Sequence, residues 1–97
     1  MRAVDKRLER LANDDAARTK QLGAQAARRL LLRINELKSC SSEAELRAGP
    51  GNWHPVLHDW PGCLAGRVSG DFRIIVELMN DGEPYWLIKE IGHAYEH

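Results

Sequence analysis

Residues 64–78 read Leu-Ala-Gly-Arg-Val-Ser-Gly-Asp-Phe-Arg-Ile-Ile-Val-Glu-Leu, and the fold turns on this stretch. Phe72, Ile74, Val76 and Leu78 alternate with Arg73, Ile75 and Glu77. A period of two marks a half-buried strand. Leu64 to Val68 is a shorter strand, joined to Phe72 through Ser69-Gly70-Asp71. A three-residue connection pairs Val68 with Phe72 and sets Arg67 directly across from Arg73. Like charges in that relation repel and weaken a hairpin, so stability alone does not ask for them. Two readings stay open. Two guanidiniums could converge on one phosphate, each bonding bidentately. Each arginine could instead pair with Asp71, Glu77 or Glu90, or reach into water. An even-length connection would put the two arginines on opposite faces.

Working outward, Tyr85 to Ile91 is rich in aromatic and β-branched residues and reads as another strand. Asn80-Asp81-Gly82-Glu83-Pro84 is the turn between them, with Asp-Gly supplying positive φ. Trp53 to Leu57 is a candidate first strand, restricted by Pro55 to an edge. The half before Gly49-Pro50-Gly51-Asn52 has helical spacing. Val4, Leu8, Leu11 and Ala12 share one helix face, and Ala27, Leu30, Ile34 and Leu37 share another. Asn13-Asp14-Asp15 separates the two and offers N-caps. Gly23 leaves the start of the second helix open. Ser42-Glu43-Ala44-Glu45 is a capping box for a helical turn ending near Arg47.

Helices followed by strands imply an α+β fold. The expected architecture is an N-terminal αα-hairpin packed on one face of a three- to four-stranded antiparallel sheet. The 97 residues form a single domain, 1–97, with room for one modest core.

The formal net charge is zero, but its distribution is uneven. Residues 1–50 hold 11 Lys/Arg against 7 Asp/Glu, and residues 51–97 hold 3 against 7. A basic surface can therefore exist on the helical half despite the neutral average. The opening stretch Met1 to Arg10 lacks the apolar segment of a secretory signal, and no run is long enough to span a bilayer. A cytoplasmic compartment is expected. Cys40 and Cys63 are expected as free thiols, because two cysteines make no disulfide framework and cannot close a zinc site alone.

All four histidines lie in the second half. His54 and His58 are four apart, as are His93 and His97, a metal-binding interval on a helix. Neither pair reads as helical, since Pro55 follows His54 and the second pair ends the sequence. Three readings stand: surface histidines, a small zinc-binding regulatory domain, and acid–base catalysis near neutrality. The tail Gly92-His93-Ala94-Tyr95-Glu96-His97 is dense in proton-transfer groups, though chain ends also fray.

Several of these segments together resemble the RelE/ParE toxin superfamily, in its HigB-like plasmid-maintenance killer branch. They are Ala26 to Leu37, the Ser42 helix start, Gly51-Asn52-Trp53-His54-Pro55-Val56-Leu57, the hairpin Gly66 to Ile75, and the ending Glu90-Ile91-Gly92-His93. The hairpin with two arginines carries most of the likeness; Tyr95 and His97 are similar to that branch's Tyr-His terminus. The resemblance implies a microbial-RNase-like fold and a type II toxin that cuts mRNA on the ribosome, without metal or cofactor. It implies a helix-turn-helix, HigA-like antitoxin as partner, alongside ribosome and mRNA, and no membrane. In such chemistry a base removes the ribose 2′-proton, the 2′-oxygen attacks the adjacent phosphate, and arginines hold the developing charge. By resemblance, Arg73 and then Arg67 stabilise phosphate, His54 and His97 transfer protons, and Tyr95 orients or stacks a base. The alternative is a catalytically inactive or ParE-like member that acts by protein contact, as a gyrase inhibitor or interaction module.

Overall fold

The computed structural model describes residues 1–56 and 59–93. The fold is α+β, as expected, but its parts are more numerous. In chain order they are β1 (Arg2–Ala3), α1 (Lys6–Asn13), α2 (Asp15–Leu22), α3 (Ala24–Ser39), α4 (Glu43–Arg47), β2 (His54–Pro55), β3 (Leu64–Ser69), β4 (Phe72–Met79) and β5 (Tyr85–Gly92). The sheet has five strands in the order β1-β5-β4-β3-β2. It is mixed rather than antiparallel: β1 runs parallel to β5, with Arg2 opposite Leu87 and Ala3 opposite Ile88. A two-residue strand is too short for any periodicity to show, so this edge was invisible in the sequence. Val4, expected on the first helix face, lies outside α1 and is exposed. Its backbone N–H donates to Ile88 O instead.

The expected αα-hairpin is also corrected, because the second helix is two. Asp14 caps α2 by accepting from Ala17 N, and Gly23 at φ 83° breaks the chain before α3. That left-handed region is open to glycine at little steric cost. Arg18 explains the tight α1–α2 junction. It is almost wholly buried, and its guanidinium donates to Leu11 O at 2.8 Å and Ala12 O at 2.9 Å while pairing with Asp15. It thus satisfies carbonyls near the end of α1 that otherwise lack intrahelical partners.

Helical periodicity correctly located the core. Leu8, Leu11 and Ala12 of α1, Leu30, Ile34 and Leu37 of α3 and Leu46 of α4 pack on Leu64, Val68, Ile74, Val76, Trp86, Ile88 and Ile91 of the sheet. Trp86 Nε1 donates to Cys40 O at 3.0 Å, fastening β5 to the end of α3. The Ser42 cap forms as the capping-box spacing predicts: Ser42 Oγ accepts from Glu45 N. The Glu45 carboxylate reaches back to Ser41 N and to both serine hydroxyls, and these donors lower its pKa. Among the described residues no helix is long and apolar enough to cross a membrane.

Candidate functional site

The sheet register builds the site. Trp53, Leu64, Ile74 and Val76 face the helices. Alternation therefore turns His54, Ala65, Arg67, Arg73 and Ile75 to the other face. Arg67 does pair with Arg73 across β3 and β4, and His54 pairs with Ala65, diagonal to Arg67. The connection differs from expectation, however. Val68 does not pair with Phe72; Ser69 does, and Val68 sits in a bulge between Arg67 and Ser69. The bulge supplies the extra residue that keeps the arginines opposed across a connection of only Gly70 and Asp71, while alternation from Leu64 carries Val68 into the core. The candidate strand at Trp53 is reduced to His54–Pro55. Leu57, where that candidate strand ended, and His58 lie outside the described residues.

Half of this outer face is covered. Val56, Cys63 and Trp60 pack against Ala65 and Ile75. Burial, with Glu77 adding to it, pushes the Cys63 thiol pKa up, so this cysteine is a poor nucleophile. The other half, toward the β3–β4 turn, carries the arginines. Arg67 is exposed and Arg73 half-buried. The three carboxylates that could have neutralised them are engaged elsewhere. Glu77 pairs with Lys89 at 3.4 Å, Glu90 with Arg7 of α1, and Asp71 with His93 at 2.9 Å. Among the described residues the Arg67 guanidinium has no polar partner. Arg73 Nη1 donates to Gly70 O and Phe72 O, and its buried Nε has no partner among the described residues. Among the described residues neither arginine pairs with these three acids, which leaves an anion site or contact with water as the readings of the exposed Arg67.

A pair of glycines packed on one indole holds this region from behind. The Trp53 indole lies against both Gly51 and Gly66; a Cβ would come within 2.3 Å of its Nε1 at Gly51 and 2.6 Å of its ring at Gly66. Such approaches leave no room for a side chain. Glu36 Oε1 accepts from Trp53 Nε1 at 3.1 Å and from Gly51 N at 3.3 Å, while Arg33 pairs with Glu36 at 2.6 Å and reaches Arg67 O. Trp53 precedes His54 and Gly66 precedes Arg67, so one clamp fixes both strands under the site. The glycines were visible in the sequence, but their common partner was not.

The histidines separate. His54 Nδ1 lies 3.0 Å from Asn52 O; a carbonyl only accepts, so Nδ1 carries the proton. His93 follows Gly92, which pairs with Arg73. Its ring meets Phe72 edge-on, with centroids 5.0 Å apart and planes at 86°, and its Nδ1 meets Asp71. The sequence placed His93 in a metal-binding interval, in the tail dense in proton-transfer groups and in the family-like ending Glu90 to His93, but gave it no partner. The signal that could have found it was register counted from the Asp81-Gly82 turn, but a bulge between Ile75 and Val76 shifts that count. Tyr95 and His97, expected to complete the site, lie outside the described residues. Among the described residues no group of three or more His, Cys, Asp or Glu is placed to hold a metal ion. Cys40 and Cys63 are free thiols.

Five grooves of about 180 to 300 Å³ are lined mainly by residues of α1 to α3 and of the β1, β4 and β5 strands. None of these five is lined by His54, Arg67 or Arg73. No family of known proteins, curated protein or solved structure matches the chain.

Proposed function

We propose that the protein is a RelE/HigB-like toxin with a microbial-RNase-like fold, a ribosome-dependent endoribonuclease that cuts mRNA and halts translation. The observation that carries this reading is the opposed Arg67–Arg73 pair, left un-neutralised by Asp71, Glu77 and Glu90. Two arginines set opposite one another in register on β3 and β4 suit the charge that develops on a phosphate under attack. His54 shares their face and supplies a proton-transfer group. Exposed Lys20, Arg28, Arg29 and Lys38 on α2 and α3 provide cationic surface for ribosomal RNA. A cytoplasmic location and a HigA-like helix-turn-helix antitoxin belong to the same proposal. Tyr95 and His97 remain assigned by resemblance to base stacking and proton transfer.

A second reading has its own observation. The Arg73 guanidinium is bonded to two carbonyls of its own hairpin, which also fits an inactive or ParE-like member acting through protein contact. One experiment separates them. Expression without an antitoxin is expected to arrest growth, with Arg73→Ala relieving the arrest. In translating extracts mRNA is cut only when ribosomes are present, leaving 2′,3′-cyclic phosphate ends. Harmless expression of folded protein overturns the toxin reading. Arrest with intact mRNA and accumulated cleaved DNA transfers the assignment to gyrase inhibition.

A further inference from the structure

On its β2 side, β3 loses its strand partner before it reaches Arg67. β2 pairs only with Ala65 and Leu64, through His54 and Pro55. Among the described residues no strand lies beside Arg67 on that edge. Instead, the Arg67 backbone N–H donates to Gly51 O at 2.9 Å, and its carbonyl accepts from Arg33 Nη1 at 3.3 Å. Both backbone groups of Arg67 therefore point away from β4. That makes Arg67–Arg73 a non-hydrogen-bonded pair, the kind in which facing residues stand closer together. Arg33 is itself fixed. Its Nε meets Glu36 Oε2 at 2.6 Å, both side chains are largely buried, and Glu36 Oε1 accepts from Trp53 Nε1 and Gly51 N. From separate nitrogens, one guanidinium thus joins Glu36 of its own helix to the carbonyls of Pro50 and Arg67.

We propose that Arg33 is a positioning residue of the phosphate site, fixing the Arg67 backbone and so the place from which the Arg67 guanidinium reaches a phosphate; the inference rests on the toxin reading above. Neutralising Glu36 needs only the Nε contact. The Nη1 bonds go further, to the strand that carries the site. That strand bulges at the next residue, between Arg67 and Ser69, where the ladder is locally disrupted. Anchoring the Arg67 carbonyl at the start of the bulge fixes the peptide that links Arg67 to Val68. The root of the Arg67 side chain is then set before RNA arrives, so less freedom is lost when its guanidinium meets phosphate. Arg33 acts through Arg67 and touches no substrate.

The test measures kcat and KM for cleavage of ribosome-bound mRNA by the full chain, Arg33→Lys, Arg67→Lys and the double variant, with a melting curve for each. Lysine keeps the charge beside Glu36 but offers one nitrogen, so it cannot serve Glu36 and the Arg67 carbonyl from separate atoms. Arg33→Lys is expected to stay folded at the assay temperature and to lose at least about tenfold in kcat with little change in KM. A residue acting through Arg67 is not additive with it, so the double variant should match Arg67→Lys to within about twofold. Wild-type kcat in folded Arg33→Lys overturns the proposal, as does a double-variant loss equal to the product of the two single losses. If Arg33→Lys does not fold, Glu36→Gln takes its place in the same cycle, because it keeps an acceptor for Trp53 and Gly51 while removing the charge opposite Arg33. Either overturning result leaves the toxin reading standing. Absence of cleavage by the wild-type protein on ribosomes overturns both.

Discussion

The two faces of the one sheet are built on opposite rules. The helix-facing side is apolar and closed: Leu64, Ile74, Val76, Trp86 and Ile88 lie under α1, α3 and α4, with every one of them nearly or wholly buried. The outer side is divided. Its β2 end is covered by Val56, Trp60 and Cys63, and its hairpin end carries Arg67 and Arg73. Stability is concentrated where charge is absent. Charge is concentrated where the fold gains nothing from it.

Three substitutions or conditions sharpen the contrast or break it. The largest effect belongs to the inner face. Ile74 is fully buried, and Ile74→Ala is expected to lower the unfolding free energy by about 2–5 kcal/mol in urea denaturation. A loss under 1 kcal/mol would show that the core does not rest on this strand. On the outer face the sign reverses. Arg67→Met removes one of two opposed cations, so it is expected to raise stability by about 0.2–1 kcal/mol while abolishing phosphate-dependent activity. A destabilised variant would mean that the pair is held by something other than function. The smallest effect lies at the α4 cap. Glu45 has its pKa lowered in the folded protein by Ser41 and Ser42 donors. Its contribution is therefore present above the ordinary glutamate value of about 4.3 and disappears as pH falls through the lower folded value. Glu45→Gln should be slightly less stable than wild type at pH 6, and the difference should shrink below pH 4; an unchanged difference would rule out the carboxylate as the cause.

Much of this was legible because it is local. Ala27, Leu30, Ile34 and Leu37 are buried where a 3.6-residue period puts them, and Ser42 caps α4 at the position its spacing indicates. Arg67 opposite Arg73 was also legible, although the supporting count was wrong by one residue. The expected three-residue turn gave the right pairing only because a bulge at Val68 compensates for the shorter connection. Arg18 shows the opposite case. In the sequence it is one more cation in a basic half, yet it is among the most buried side chains in the molecule. Its partners are backbone carbonyls at the end of another helix, and backbone carbonyls have no signature in a residue string.

The amino-acid sequence by itself determined the helical first half, the three long strands of the second half, most of their apolar faces, and that two arginines oppose one another across a hairpin. Those properties follow from side-chain period and turn chemistry, both of which act over a few residues. Only the tertiary structure decided that β1 closes the edge beside β5, that Trp53 is wedged between Gly51 and Gly66, and that Asp71 takes His93 rather than an arginine. Each of these joins residues distant in the chain, and which distant groups meet depends on how all the elements pack together, not on any one segment's own preference.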